Sequence, residues 1–391
     1  MLEQAKQLQD ELTRIRRTIH MNPELGFEEF QTGALVTKTL SDLGIEFQAG
    51  VGRTGVVARL GNGNGPKIGI RADMDALPIL EANDVEYKST VPGKMHACGH
   101  DAHTTMLLGA AMLLKDQDFD GEIRLLFQPS EERSDADGIS GAPAMITDGA
   151  VEELDAVIAL HVLGHFDTGT INITDGFILA NADTIDAKII GKGGHGAAPH
   201  MSVDPIFIAA PVISAIHGIV SRRVDPAKPA VITIGKLAGG AASNVIPGEV
   251  EFSITLRSFD DEVREQIITE VTNAFQIAKH MGGDCEVHVK RGYPATYNDP
   301  TVASWIRKTA TDLVGEDNVI SRGPSMGAED FGYMSRASRG AMFNVGVRKP
   351  GSPDRFLHHP EFDIDETAMP YGAAVLAETA MRFIRGEFKE E

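Results

Sequence analysis

The chain has 391 residues, 42% hydrophobic and 24% charged, a globular composition and more length than one hydrophobic core ordinarily serves, so two domains are expected. Lys+Arg number 36 against 56 Asp+Glu, and the formal net charge of -20 repels nucleic acid and anionic membrane surfaces, so neither is expected as a partner. Two cysteines, Cys98 and Cys285, cannot build a disulfide framework and point to a reducing compartment, the cytoplasm.

The opening MLEQAKQLQDELTRIRR carries acid from Glu3 onward and no apolar stretch, so no secretory signal is expected there. Helical patterning runs through Ile19, breaks at Pro23 and Gly26, and resumes through Leu40. Val51–Leu60 reads as a strand, GNGNGP from Gly61 as a tight turn, and Lys67–Arg71 as a short apolar strand ending in ADMDALP. Next comes MHACGHDAHT, Met95 to Thr104, which sets a thiol and three imidazoles in one short loop. An amphipathic helix follows (Met106, Leu107, Ala110, Ala111, Leu113, Leu114), with Asp101 as its expected N-cap. Glu122–Phe127 is a strand running into QPSEE, and Ala156–Ala159 is one running into LHV.

From about Asp183 the texture changes. Strand Thr184–Ile190, helix Pro205–Val220, strands Ala230–Lys236 and Val250–Arg257, helix Asp261–Lys279 and strand Cys285–Lys290 follow the β-α-β-β-α-β order of a ferredoxin-like domain. The apolar run Ile206–Val220 contains Pro211 and His217 and reads as too short for a bilayer span. The remainder has a helix over Pro300–Leu313, a strand over Met342–Val347, a loop bearing His358 and His359, and a long last helix. The expected organisation is a catalytic α/β domain of residues 1–182 and 295–391, into which 183–294 is inserted.

Strands alternating with helices indicate a mostly parallel α/β sheet, and such sheets bind ligands beyond the carboxyl ends of their strands. Asp73 and Asp75 follow one strand, Glu131 and Glu132 a second, and His161 a third. Cys98, His100, Glu132, His161 and His358 are too many ligands for one four-coordinate ion and suit a pair. Thiolate and imidazole favour zinc or manganese, with nickel or cobalt as alternatives, over magnesium or calcium. Of the paired acids, one can bind metal while its neighbour takes a proton. Blander readings stand beside this one: a Cys buried as a small hydrophobe, and PSEER as a solvated acidic turn. Cys98 could also be a nucleophile with His100 as base, but Asp73, Asp75, Asp101, Glu131 and Glu132 would raise its pKa unless a cation offsets them.

RADMDALP, MHACGHDAHT, LLFQPSEE, ALHV, GKGGHGAAPH, NVIPGEVEFSITLRSF, GAEDFGYM and LHHPEF, spread from about His20 to the last helix, resemble the M20 metallopeptidase superfamily. HACGHD with the paired Glu resembles its N-acyl-amino-acid amidohydrolase branch, which includes hippurate hydrolases, aminoacylases and auxin-conjugate hydrolases. The resemblance implies a zinc-peptidase-like catalytic domain with two divalent ions per subunit and a ferredoxin-like domain that serves as dimerisation surface and lid. It implies a homodimer or higher homo-oligomer whose substrate is a small N-acyl-L-amino acid, of hippurate or N-acetyl type. A metal-activated water would split that substrate into a carboxylate and a free amino acid. By position, Cys98, His100, Glu132, His161 and His358 match the metal ligands and Glu131 the general base, with Asp75 or Asp73 the acid beside the metals. His195 would reach the substrate oxyanion, in its own subunit or across the dimer, and Arg257 or Asn244 would hold the α-carboxylate. His96, His103, His200 and His359 read as structural or supporting. The segment RSDADGISGA after Glu132 departs from the family's Gly-rich stretch. Rival readings are a dipeptidase or aminopeptidase on the same scaffold, and a non-catalytic metal-binding dimer.

Overall fold

Strands with little polar interruption are buried on both faces only when helices cover the sheet, and Glu122–Gln128 is buried at every residue. The computed structural model describes residues 1–388, in two compact units. One comprises Met1–Gly176, Tyr297–Gly323 and the chain from Asp330 on; the other comprises Phe177–Thr296 and Pro324–Glu329.

The first unit is built on an eight-stranded sheet. From edge to edge it runs Glu46–Val51, Gly55–Leu60, Glu122–Gln128, Lys67–Asp73, Ala156–Asp167, Gly340–Arg348, Ile171–Asn172 and Val319–Ile320. The third to sixth of these are mutually parallel. Their register pairs Asp73 with Gln128 and Arg71 with Ala159, so the chain leaves Lys67–Asp73 and Glu122–Gln128 at one level and delivers Asp75 and Glu131 to one edge. The core holds Ile68, Ile70, Leu125, Phe127, Ile158, Leu160 and Phe343, each worth about 1.5–3 kcal/mol on burial.

Three local expectations are corrected. Val51–Leu60 is not one strand: Glu46–Val51 and Gly55–Leu60 form an antiparallel hairpin, turned where Gly52 and Arg53 both take positive φ (61° and 81°). His161 does not follow its strand but lies inside it, since Ala156–Asp167 continues alongside Gly340–Arg348 with Asn344 opposite His161. The helix after the Cys–His loop is His100–Leu114, buried except at Met112 and Leu113, and its N-cap is Gly99 rather than Asp101. Gly99 has φ 88°, and a Cβ there would lie 2.3 Å from Val162 Cγ2, so no other residue fits between Cys98 and His100 without displacement.

Asp101 is instead a buried counter-charge. Its Oδ2 accepts from Arg16 Nε at 2.7 Å and from His20 Nδ1 at 2.8 Å, and Arg16 also reaches Asp363 at 3.1 Å and Glu366 at 3.3 Å. Arg16 and Asp101 are both 0% exposed, so the helix Gln9–Met21 is tied by charge to the residue after His100. Arg16→Leu strands the Asp101 carboxylate in the core and is expected to cost about 3–5 kcal/mol in urea unfolding. A loss below about 1 kcal/mol would show the network to be dispensable.

In the second unit, Asp183–Ile190, Pro205–Arg222, Ala230–Ala238, Glu249–Ser258, Asp261–Phe275 and Asp284–Arg291 alternate as β-α-β-β-α-β. The antiparallel sheet order is Ala230–Ala238, Glu249–Ser258, Asp183–Ile190, Asp284–Arg291, the ferredoxin-like arrangement. Pro205–Arg222 starts where Asp204 accepts from the amides of Ile206 and Phe207. It has 18 residues, longer than the run read from sequence, and by length and composition alone is long and apolar enough to cross a membrane. Its buried face (Ile208, Val212, Ile216, Ile219) joins Ile254, Leu256 and Phe275 in this unit's own core.

Candidate metal centre

The sheet edge of the first unit gathers the predicted ligands. Ligand atoms of Cys98, His100 and His161 lie within 4.8 Å of one another, as do those of Cys98, Glu132 and His358, and those of His100, Glu131 and Glu132. All five proposed ligands and the proposed base therefore belong to one continuous cluster.

Hydrogen bonds decide which imidazole nitrogens face it. His161 Nδ1–H donates to the Val162 carbonyl at 2.7 Å, which leaves the Nε2 lone pair 3.5 Å from Cys98 Sγ. Burial pushes His161 down to about 4, so the ring is neutral. His100 Nδ1 donates to Asp75 Oδ1 at 3.3 Å, leaving Nε2 at 3.6 Å from Asp73 Oδ2 and 3.8 Å from Glu132 Oε1. Neither contact has hydrogen-bond geometry: among the described residues His100 Nε2 and Glu132 Oε1 are buried polar atoms without a hydrogen-bond partner, with His358 Nε2 at 3.2 Å from Glu132 Oε1. Burial alone would lower His100, yet Asp73, Asp75 and Glu132 together push it up to about 10, the mark of a field that draws in a cation. Burial, then Glu132, Glu131 and Asp73, push the Cys98 thiol well up, so a thiolate there also needs a cation. The imidazoles of His100 and His161, the Cys98 thiol and the Glu132 carboxylate, two of whose atoms lack a hydrogen-bond partner among the described residues, fit a borderline transition ion.

Supporting residues set the geometry. Asp75, placed in sequence beside the metals, orients: besides His100, its two oxygens accept the N–H of Glu131 and of Glu132, each at 3.0 Å. The Val162 N–H donates to His103 Nε2 at 2.9 Å, so His103 uses Nδ1–H for Asp73 Oδ1 at 2.6 Å, and burial holds it near 4. His103 is thus a support with both nitrogens engaged. Arg71, fully buried, holds Asp73 Oδ2 at 2.8 Å and Gln128 at 2.8 Å. His358 is the exposed candidate ligand, its side chain 53% accessible; its backbone N–H donates to Ala97 O at 2.8 Å and its φ is 62°. Ser130, just before Glu131, has φ 47°. Non-glycine residues held in this region cost of order 1–3 kcal/mol and collect at functional sites.

The remaining predicted residues lie in the second unit. His195 and Asn244 are neighbours there, with Val245 paired to His195 and the Gly196 N–H donating to Asn244 O at 2.8 Å. Arg257 lies on Glu249–Ser258 opposite Val231, half-buried, and burial lowers its pKa. His96 is buried with no hydrogen-bond partner for either nitrogen among the described residues, and His200 lies in the second unit's turn Pro199–Met201.

Residues 69–382 match the family described as peptidase family M20/M25/M40. The chain is 40% identical over 386 residues to an IAA-amino acid hydrolase of Arabidopsis thaliana, covering 96% of this chain and 86% of that one. It is 40% identical over 386 residues to a thermostable carboxypeptidase of Saccharolobus solfataricus, with 97% of each covered. A solved Bacillus subtilis structure, described as a dinuclear metal binding peptidase of the M20 family, matches with TM-score 0.83 and 31% identity over 97% of this chain and 99% of that one. With a ligand cluster of this chemistry and a family match over most of its length, the protein belongs to peptidase family M20/M25/M40 and is a metal-dependent hydrolase.

Proposed function

We propose that the protein hydrolyses the amide bond of N-acyl-L-amino acids, releasing a carboxylate and a free amino acid. One observation carries the reading: Glu131 and Glu132 stand side by side in the buried cluster with both amides fixed by Asp75, so one carboxylate can hold a cation while its neighbour handles a proton. Cys98, His100, Glu132, His161 and His358 would hold two divalent ions, zinc or manganese ahead of nickel or cobalt on donor softness. Such ions, when bound, polarise an amide carbonyl and acidify water. Glu131 takes the proton of the attacking water and returns it to the leaving amine.

His195 Nδ1 accepts the Ala197 N–H at 3.0 Å, so its neutral ring carries hydrogen on Nε2, as a donor to a developing oxyanion must. The Arg257 guanidinium makes no hydrogen bond or ion pair among the described residues, and a half-buried guanidinium in that state suits the substrate's α-carboxylate, with Asn244 as the second candidate. The second unit is the dimerisation surface and lid of a homodimer or higher homo-oligomer, which works in the cytoplasm, where Cys98 stays reduced. The net charge of -20 supports a small-molecule substrate over nucleic acid or membrane.

The likeness to a carboxypeptidase makes peptides the rival substrates. A panel of N-acetyl amino acids, N-benzoyl amino acids and dipeptides separates them, because a free α-amine needs its own polar partner. N-acyl amino acids are expected to exceed dipeptides in kcat/KM by about tenfold or more. The reverse order would make the protein a dipeptidase, and no metal-dependent turnover of any member would leave only a metal-binding dimer.

A further inference from the structure

Three consecutive backbone amides ahead of and within the Glu pair are each taken by a carboxylate. Glu29 Oε1 accepts from Ser130 N at 2.8 Å, and Asp75 accepts from Glu131 N and Glu132 N. Successive amides converge in this way only where the backbone turns unusually, and Ser130 makes that turn at φ 47°. A strained residue persists only if its surroundings hold it.

Glu29 does the holding from 101 residues away in the chain. It is fully buried and stands at the N-cap of the helix Phe30–Asp42, yet its side chain does not cap that helix. Glu24 takes the amides of Gln31 and Thr32 instead. Glu29 Oε1 also accepts the Phe27 N–H at 3.0 Å, and Oε2 accepts the Thr54 hydroxyl at 2.5 Å. Behind the turn, a Cβ on Gly26 would lie 2.2 Å from Ser130 Oγ, and Arg133 Nη2 donates to Gly26 O at 2.6 Å. The segment 26–29 therefore grips residues 130–133 at both ends. Burial, then the nearby Asp75 carboxylate, push Glu29 up to about 7, as befits an acid placed for its bonds rather than its charge.

We infer that Glu29 is a positioning residue for the general base: by anchoring Ser130 it sets the direction in which Glu131 leaves the strand end. The inference rests on the role proposed for Glu131. Glu29→Leu removes the acceptor at similar volume, and Glu29→Gln keeps an acceptor for the Ser130 amide. Hydrogen exchange at amides 130–132 reads the turn directly, alongside kcat and KM on an N-acyl amino acid. In Glu29→Leu, exchange is expected to speed and kcat to fall by about 10–100-fold, the scale of losing a supporting partner, with KM within about threefold. Glu29→Gln restores both to within about threefold. If the Leu variant does not fold, Glu29→Asp, one methylene too short to reach Ser130, is read in the same way. Unchanged exchange in the Leu or Asp variant overturns the anchoring and leaves the role of Glu131 standing. Faster exchange with unchanged kcat keeps the anchor but overturns the positioning role of Glu29. Equal losses in Gln and Leu also overturn the inference, since charge rather than the Ser130 bond would then matter.

Discussion

Glu131→Ala is expected to lower kcat by about 10²–10⁴-fold, the range for loss of a positioned general base, with metal content and KM near wild type. The side chain is buried (6% exposed) in the cluster, while five other residues are the proposed ligands, so its removal takes away the proposed proton acceptor and leaves the donors in place. Steady-state kinetics on an N-acyl amino acid and elemental analysis of the same preparation check both halves. Full turnover would remove Glu131 from the mechanism; loss of metal together with activity would make it a ligand.

Stripping the metal is expected to abolish turnover, and Mn²⁺ or Zn²⁺ to restore it. The same experiment has a sign in pH. Without an ion, His100, pushed up to about 10, and the Cys98 thiol, pushed well above its usual range, both hold protons at neutral pH. Each must lose one to become a ligand, so loading releases protons and tightens as pH rises from about 6 to 8. An affinity flat across that range, measured by competition with a chelator dye, would contradict the ligand assignment. A fully chelated protein working at its normal rate would revive Cys98 as nucleophile, against a field that disfavours its thiolate.

The gathering of the candidate ligands was legible because each sits in a short motif and the motifs of Asp75 and Glu132 follow strand ends, so a topological rule about sheet edges pointed to one cluster, which His161 joins from within its strand. The ferredoxin-like order of the second unit was legible for a similar reason, its period-2 strands and capped helices being local signals. What escaped was the support. Asp75 looked like one more acid beside the metals; that it takes two amides from the next strand's exit is a fact of register between Lys67–Asp73 and Glu122–Gln128. Asp101 looked like a helix cap because Asp before an apolar run usually is one, but Arg16 and His20, far upstream, claim it. Glu29 gave no signal, since an acid within a run of acids reads as solvated until its partners are known. His161 was set just past a short strand because the apolar run stops there, whereas backbone pairing with Gly340–Arg348 carries on.

His358 differs from the other donors in standing half in solvent on a left-handed residue of a loop. If the two ions occupy the cluster as proposed, the one sharing His358 has the shorter way out. A preparation washed with a weak chelator would then pause at a half-loaded form, and one equivalent found by elemental analysis would report how far the wash had gone rather than how many ions the working enzyme carries.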